Sequence, residues 1–339
     1  MEYEELGKIR EKLKEAVNPV ILFDDDPDGL CSYLLIKKFM GKGSGICVRG
    51  EPFVDGKYVS RVKAHEPDLI IILDKPMVRE EFLDNIHTPI IWIDHHGMQE
   101  PRGTLYFNPK KYDEEDARST SYWCYQITKE NLWIAFTGIV GDYSLDLFDE
   151  FKEKYKDLVI DKVEKPTDLT YNSKIGEIIR IISNILKGKT SDINRNIELI
   201  TKIKDPYELL EGKSEEADEL LSKHSKIKKD FDKLAEEAEK SVEGEILKFI
   251  YVNEKYSFTS ELSNYLNYKF PEKFILICRK NGTKYMCSLR SHKVDLREVV
   301  EKCINGLDGY GGGHKYACGA TIDEKDFDEF LRRFKEEVS

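Results

Sequence analysis

The chain has 339 residues, of which 40% are hydrophobic and 35% are charged, and its formal net charge is −11. This composition is typical of a globular protein long enough for two domains, and it excludes a disordered chain. No apolar run could span a bilayer, and the seven cysteines show no CxxC spacing, so we expect no membrane binding and a cytoplasmic location. Because the chain is acidic overall, a polyanion would have to bind through a local patch or through bound metal.

The N-terminal part of the chain alternates strand-like and helix-like segments, which predicts βα units around a mostly parallel sheet. Apolar runs at 20–23, 69–73 and 89–93 predict buried strands. The segment that follows the first run predicts a helix, and so does 119–128. The apolar segment 134–140 is consistent with either a fourth strand or the end of a helix.

The rest of the chain predicts a helical region followed by a second α/β unit. Residues 173–240 have a helical pattern, in which Ser191 and Asp192 are candidate caps and the segment 213–242 predicts a long solvated helix between domains. From residue 244, strand-like runs return, with an Asn-Gly turn and a glycine-rich segment that predicts a loop. The fold class is therefore α/β, with three predicted regions: a mostly parallel-sheet domain over 1–170, a helical region and connector over 171–242, and a smaller α/β domain over 243–339.

Polar side chains follow each predicted strand of the first domain. The carboxyl ends of parallel strands meet in one crevice, so these side chains should lie close together. An extended segment would place carboxylates two residues apart on the same face. Taken singly, each of these residues could instead belong to an ordinary turn or helix cap. The aspartates spaced two apart also resemble the start of a calcium-binding loop, but the distal Glu that such a loop requires is missing. The set consists of Asp24, Asp26, Asp28, Asp74, Asp94, His95, His96 and Asp142.

The combination of many carboxylates with one or two imidazoles points to a divalent cation. Oxygen ligands with an imidazole suit Mn²⁺ or Mg²⁺ better than Zn²⁺. Two ions about 3.5–4 Å apart can share one carboxylate and activate a water for attack. Such an arrangement suits chemistry at phosphorus, where the entering and leaving oxygens both need charge stabilisation. We therefore predict two bound ions, Mn²⁺ by preference.

Two motifs of this chain resemble those of a known family. Asp94-His95-His96 and the later Gly311-Gly312-Gly313-His314 together resemble the DHH phosphoesterase superfamily, in the branch that carries a DHHA1 domain. That branch includes RecJ-like exonucleases, small oligoribonucleases and related phosphodiesterases. Residues 18–145 resemble its catalytic domain, and 244–339 resemble its DHHA1 substrate-binding domain.

The resemblance implies a role for each motif residue. Asp24, Asp28 and Asp74 would hold one ion, and Asp26, Asp74, His95 and Asp142 would hold the other. Asp94 would orient His95, and His96 would contact the scissile phosphate. In the DHHA1 domain, Arg290, Ser288, Gly311, Gly312, Gly313 and His314 would bind substrate. The first motif, Asp-x-Asp-x-Asp-Gly, is closer to the RecJ type than to relatives with His-x-x-Pro-Asp-Gly-Asp, because Asp24 stands at the His position and Leu30 at the last Asp.

The resemblance implies a metal-dependent hydrolase that acts on nucleic acid. We expect a single-strand-specific exonuclease that releases mononucleotides from RNA or short oligonucleotides, and from single-stranded DNA ends, in the 3′-to-5′ direction. The alternatives are a small-molecule phosphatase, a phosphodiesterase for cyclic dinucleotides or pAp, and a non-catalytic RecJ-like replication scaffold. A family II pyrophosphatase is less compatible with the C-terminal GGGH.

Overall fold

The computed structural model describes residues 3–253 and 255–338. The chain divides into two compact units, residues 1–224 and 225–339. The boundary falls inside one long helix, so the segment that the sequence predicts as a connector belongs in part to each unit. Within the described residues, no helix combines the length and the apolar character needed to cross a bilayer.

The first unit begins with alternating strands and helices and ends with helices alone. Its strands are β1 Pro19–Asp24, β2 Ser44–Val48, β3 Phe53–Val54, β4 Leu69–Leu73, β5 Met77–Val78, β6 Ile90–Ile93 and β7 Thr104–Phe107. Its helices are α1 Glu4–Glu15, α2 Pro27–Met40, α3 Val59–Lys63, α4 Glu80–Asn85, α5 Thr120–Thr128, α6 Leu132–Gly141, α7 Phe148–Lys154, α8 Pro166–Asn172, α9 Lys174–Ile185, α10 Thr190–Lys202, α11 Pro206–Glu211 and the start of α12 Glu215–Glu239.

The main sheet of this unit is parallel throughout and has the strand order β2-β1-β4-β6-β7. Alternate residues of each central strand enter two different apolar cores. In β4, Ile71 and Leu73 pack into the core that includes α2, α5 and α6, whereas Ile70 and Ile72 pack against α3 and α4. The sheet is therefore covered on both faces, which explains why its strands are continuous apolar runs. The predicted parallel α/β fold is confirmed.

The structure corrects two local predictions in the first unit. Residues 134–140 lie in helix α6, so the strand alternative is wrong. Ser191 and Asp192 do not cap α10, because that helix begins at Thr190 after Lys189. The helices from α9 to α11 pack into the same core as α2 and α6, so the helical region adds its apolar faces to the first unit.

The second unit is a mixed six-stranded sheet with helices on both faces. The strand order is β12-β13-β11-β10-β9-β8, in which only β9 and β10 pair in parallel. Helices α14 and α15 cover one face and α13 covers part of the other. The bounds are β8 Val242–Glu243, β9 Ile246–Val252, α13 Thr259–Lys269, β10 Phe274–Asn281, β11 Lys284–Arg290, α14 Leu296–Ile304, β12 Gly309–His314, β13 Ala317–Asp323 and α15 Phe327–Val338.

The glycine-rich segment is a strand and not the loop that its composition predicts. Residues 309–314 form the edge strand β12, which pairs antiparallel with β13. At Gly311, an added Cβ would lie 2.7 Å from Val300 Cγ1 and 2.9 Å from the Gly319 carbonyl oxygen. Glycine is required there because the strand lies too close to its neighbours for any side chain.

Candidate metal centre

The sheet of the first unit brings the acidic motifs to one edge. Strands β1, β4 and β6 are neighbours and run in the same direction, so their carboxyl ends lie side by side. Asp24 is the last residue of β1, Asp74 directly follows β4, and Asp94 directly follows β6. All the predicted ligands lie in this unit, and their donor atoms fall into overlapping groups.

One group contains Asp24, Asp26 and Asp74, whose ligand atoms lie within 4.8 Å of one another. Asp26 is the N-cap of α2, and its Oδ1 accepts a hydrogen bond from the Gly29 N–H at 2.8 Å. Asp74 is 1% exposed and has a left-handed φ of 58°. Such a conformation costs roughly 1–2 kcal/mol for a residue other than glycine, and strain of this kind is common at functional sites.

A second group contains Asp28, His95 and Asp142. Asp28 lies in the first turn of α2, so the expected extended spacing of the three aspartates is wrong beyond Asp26. Its two carboxylate oxygens each accept a 2.8 Å hydrogen bond, from the backbone N–H groups of Thr120 and Ser121 at the start of α5. A helix N-terminus favours a negative charge, so α5 holds this carboxylate in place.

His95 belongs to the second group and also, together with Asp74 and His96, to a third group of closely spaced donor atoms. Its Nε2 is 3.4 Å from Asp74 Oδ1, and its Nδ1 is 3.7 Å from Asp142 Oδ2. The expected grouping differs in one respect, because Asp26 lies with Asp24 and Asp74 while Asp28 lies with His95 and Asp142. The sharing of Asp74 between two ions stays a prediction.

Asp94 contacts His96 and not His95, which corrects the expected orienting role. Asp94 is fully buried, its Oδ1 lies 2.8 Å from His96 Nδ1, and its Oδ2 accepts the His96 backbone N–H at 3.0 Å. The buried Asn108 donates to the His96 carbonyl oxygen at 3.1 Å and to Tyr106 Oη at 2.8 Å. Two adjacent imidazoles thus have different surroundings, since His95 faces carboxylates of the ligand groups and His96 is fixed by Asp94 and Asn108.

Burial and mutual repulsion make this cluster unfavourable when fully ionised. Burial, followed by the neighbouring carboxylates, raises the pKa values of Asp26 and Asp74 well above the ordinary range. The same causes, burial and then Asp28, raise the pKa of Asp142 to about 8. Burial lowers the pKa of His95, but Asp142 and Asp28 outweigh it, so the net pKa shift is upward. Bound cations would relieve this repulsion and keep the carboxylates ionised.

The donor set fits hard divalent cations. Each group offers three closely spaced donors, and all but the imidazoles are carboxylate oxygens, which Mn²⁺ and Mg²⁺ prefer. No cysteine takes part, since all seven are buried and none belongs to a donor group of the described residues. Asp24, Asp26 and Asp74 are therefore suited to one cation, and Asp28, His95 and Asp142 to another.

Three further residues support the site and were not assigned a role from sequence. Lys75 is buried and its Nζ lies 2.8 Å from Asp24 Oδ1. Thr120 donates its hydroxyl to Asp74 Oδ1 at 3.0 Å, and Asn108 supports His96 as described above. Asn108-Pro109 reads as an ordinary turn, and Lys75 and Thr120 are single polar residues at strand and helix ends. These three residues reach the carboxylate cluster only because of the three-dimensional arrangement of the strands and helices, which the sequence pattern does not show.

The predicted substrate residues of the second unit lie along three adjacent strands. The register places Gly312, Gly319 and Ser288 opposite one another, and His314, Ala317 and Arg290 two residues further on. Residues two apart on a strand share a face, so Gly312, His314, Ser288 and Arg290 lie on the same face of the sheet. Gly311 and Gly313 belong to the opposite face, where α14 and α15 pack.

The individual contacts on this substrate face differ. Ser288 is buried, and its hydroxyl is 2.8 Å from that of Ser263 on α13. Arg290 donates from Nε to Asn264 Oδ1 at 2.6 Å and from Nη1 to the Leu289 carbonyl oxygen at 2.8 Å. Gly312 has open space where a Cβ would lie, and His314 is exposed. The face thus combines a held guanidinium with open space at Gly312 and an exposed imidazole at His314.

The comparisons with known proteins agree with this architecture. The family model of the DHHA1 domain matches residues 248–339. A search of curated proteins found no significant match. Among solved structures, RecJ from Thermus thermophilus in complex with Mn²⁺ is 14% identical with a TM-score of 0.69. The alignment covers 99% of this chain and 55% of that one, so the chain spans about half the length of this RecJ.

Two other solved structures align with this chain over nearly the full length of both chains. Exonuclease RecJ bound to manganese has a TM-score of 0.63 at 16% identity, with 98% of this chain and 94% of that chain covered. The pGpG-specific phosphodiesterase PggH from Vibrio cholerae has a TM-score of 0.53 at 13% identity, with 95% and 99% covered. At these identities the likeness establishes the fold.

Residues 248–339 match the DHHA1 domain model, and the chain as a whole has the fold of these RecJ structures. The predicted resemblance to DHH phosphoesterases that carry a DHHA1 domain is therefore confirmed.

Proposed function

We propose that this protein is a metal-dependent phosphodiesterase of the exonuclease type. It would remove mononucleotides from single-stranded RNA or short oligonucleotides, and from single-stranded DNA ends, in the 3′-to-5′ direction. The observation that carries the proposal is the set of three overlapping donor groups at one edge of the sheet, with three ligand atoms each. The exonuclease and phosphodiesterase activities in the names of the two similar structures support it.

Two Mn²⁺ ions, or Mg²⁺ in their place, would be held by Asp24, Asp26 and Asp74 and by Asp28, His95 and Asp142. Such ions supply the positive charge that phosphodiester cleavage requires at the reacting phosphorus. The side chains of this chain do the positioning. The α5 N-terminus fixes Asp28 and the Thr120 hydroxyl fixes Asp74, so the donors keep their places before any cation arrives.

His96 is the side chain best suited to contact the scissile phosphate. Its Nδ1 faces the buried Asp94 carboxylate, which leaves Nε2 for substrate. Asp94 fixes the orientation of the ring and favours the tautomer with the proton on Nδ1, so Nε2 is the atom that would face the phosphate. The imidazole is 38% exposed, whereas Asp94 is fully buried, as expected for a contacting residue and its positioning partner.

The substrate face of the second unit would bind the nucleotide chain. An edge strand with glycine at four of its six residues would offer backbone N–H groups to phosphate oxygens at close range, and His314 would add a side-chain donor. The guanidinium of Arg290, already oriented by Asn264 and the backbone, would supply the positive charge for a phosphate. This charge matters because the protein as a whole is acidic.

A second candidate is a phosphodiesterase for a dinucleotide such as pGpG. The similarity to PggH favours it, because the two chains are covered almost completely by the alignment. Hydrolysis of pAp or of cyclic dinucleotides would use the same donor groups. A non-catalytic scaffold is the remaining alternative, but this chain has a carboxylate or imidazole at every position to which the resemblance assigns a metal ligand.

End-labelled RNA and DNA oligomers of both polarities, assayed with Mn²⁺ and with chelator, separate these functions. We expect Mn²⁺-dependent release of mononucleotides from single strands, with RNA preferred and the 3′ end attacked first. Competition by pGpG, pAp and cyclic dinucleotides identifies a small substrate if one of them is hydrolysed faster than the oligomers. No hydrolysis of any of these substrates with Mn²⁺ present would leave the scaffold alternative.

A further inference from the structure

Lys75 is a buried cation beside the proposed metal ligands. It is 0% exposed, and it is the one lysine or arginine that is buried among the residues the structure describes. Its Nζ donates to Asp24 Oδ1 at 2.8 Å and to the Glu51 carbonyl oxygen at 2.6 Å. Trp92 fixes the Lys75 backbone by donating its indole N–H to the Lys75 carbonyl oxygen at 3.0 Å. Lys75 is therefore held in one position at the edge of the first donor group.

The charges at this edge of the sheet are unequal between the two donor groups. Asp24, Asp26 and Asp74 have an ammonium in direct contact with one of their members. Asp28, His95 and Asp142 instead have the backbone N–H groups of α5 and no ammonium within ion-pair distance among the described residues. A buried lysine is tolerated only when it is paired, and here its partner is a metal ligand.

We propose that Lys75 is an internal counter-ion that competes with the divalent cation for Asp24, so that the group of Asp24, Asp26 and Asp74 binds its cation more weakly than the group of Asp28, His95 and Asp142. In the absence of metal, the Lys75 ammonium is the partner of the Asp24 carboxylate. When a cation binds, Asp24 shares its charge between the two positive groups, and the ammonium repels the incoming ion across a region of low dielectric constant. The two ions therefore bind in order, and the second one dissociates readily.

This inference rests on the proposed metal site, and the experiment separates the two. Binding of Mn²⁺ to the whole wild-type protein is measured by isothermal titration calorimetry near pH 8, where protons compete less with the cation. We expect one tight and one weak ion per chain. No Mn²⁺ binding at all would overturn the proposed function, whereas two ions of equal affinity would overturn this inference alone.

The test variant is Lys75→Met, which removes the charge and keeps most of the side-chain volume. We expect the weak site to tighten by about tenfold or more and the tight site to stay unchanged. The metal-free variant should melt at a lower temperature, because Asp24 is left unpaired, and Mn²⁺ should raise its melting temperature more than that of the wild type. A weak site that is unchanged or weaker in the variant would contradict the inference.

Two further variants make the result specific. Lys75→Gln retains a hydrogen-bond donor without the charge, and it should also tighten the weak site if Lys75→Met does not fold. Lys38→Met is the matched control, because Lys38 Nζ donates to the Thr201 and Ile203 carbonyl oxygens in the same unit, at 2.6 and 2.7 Å. Its loss should lower stability without changing either Mn²⁺ affinity, whereas a tightened weak site in this control would also contradict the inference.

Discussion

The two units present functional side chains in opposite ways. In the first unit, Asp28, Asp74 and Asp94 are at most 2% exposed and lie where their charges repel one another. In the second unit, every residue of β12 is exposed, and four of its six residues are glycine. The carboxylates of the first unit repel one another unless a cation is bound. The strand β12 of the second unit has no such repulsion for a cation to relieve. The carboxylate cluster of the first unit is therefore defined by its concentrated charge, and the β12 surface of the second unit by its lack of bulky side chains at the glycines.

The first prediction concerns the charge of the metal centre. Asp74→Asn keeps a side chain that tolerates a positive φ and can still accept the Thr120 hydroxyl, but it removes a carboxylate from the first donor group. We expect activity to fall by about a thousandfold or more and Mn²⁺ to bind more weakly. Asp74→Ala should abolish turnover as well. Substantial activity in either variant, measured with labelled oligomers, would contradict the role of this carboxylate.

The second prediction concerns the positioning of His96. Asp94→Asn replaces a carboxylate with an amide of the same shape, which no longer favours the required His96 tautomer. We expect kcat to fall by about 10- to 100-fold while the affinity for Mn²⁺ stays within a few-fold of the wild type. A large loss of Mn²⁺ binding in this variant would mean that Asp94 acts through a ligand group and not through His96.

The third prediction tests shape in the second unit with a matched pair of glycines. Gly311→Ala would place its Cβ 2.7 Å from Val300 Cγ1, so it should destabilise this unit by about 1–3 kcal/mol. Gly312→Ala meets no atom within 4 Å and should leave the melting temperature unchanged. Its methyl group would fill the open space beside β12, where we propose that the nucleotide chain binds. We therefore expect a higher KM for oligonucleotides with unchanged Mn²⁺ binding.

His314→Ala serves as a side-chain comparison for Gly312→Ala. It should also raise KM and leave metal content intact. Unchanged KM values in both variants would argue that β12 does not bind substrate.

The fourth and smallest effect concerns a paired charge that needs no metal. Glu177 Oε1 lies 2.9 Å from His224 Nε2, and Arg180 contacts the other oxygen. The His224 hydrogen bond is the largest cause that lowers the pKa of Glu177 to about 2, from an ordinary value of 4.5. The carboxylate therefore stabilises the fold above pH 4.5, and this contribution is lost as the pH falls towards 2.

Glu177→Gln should reduce the free energy of unfolding by about 1 kcal/mol at pH 7. The difference from the wild type should shrink between pH 4.5 and 2, and Mn²⁺ should not restore it. A difference that is constant across this range, measured by urea unfolding, would contradict the pairing.

Much of the fold and of the metal centre follows from the sequence, because both depend on patterns along the chain. Apolar runs that end in Asp24, Asp74 and Asp94 predict strands whose carboxyl ends meet, and the parallel sheet has these strands side by side. The continuous apolar runs of these strands are a local property of the sequence, and the burial of the sheet on both faces accounts for them.

The remainder depends on three-dimensional geometry that patterns along the chain do not specify. The pairing of Asp94 with His96, and not with His95, is decided by how the chain turns after β6. The contact of Lys75 with Asp24 joins the ends of two strands, 51 residues apart. Residues 309–314 form a strand because β13 lies beside them, although four glycines favour a loop. In β12, pairing with a neighbouring strand overrides the local preference.

The central claim is that the carboxylates and the His95 imidazole at the sheet edge hold a pair of divalent cations. Anomalous diffraction from a crystal soaked in Mn²⁺ tests it most directly. We predict two peaks, one in contact with Asp24, Asp26 and Asp74 and one in contact with Asp28, His95 and Asp142. An edge without anomalous density, in a crystal whose side chains point away from one another, would contradict the account.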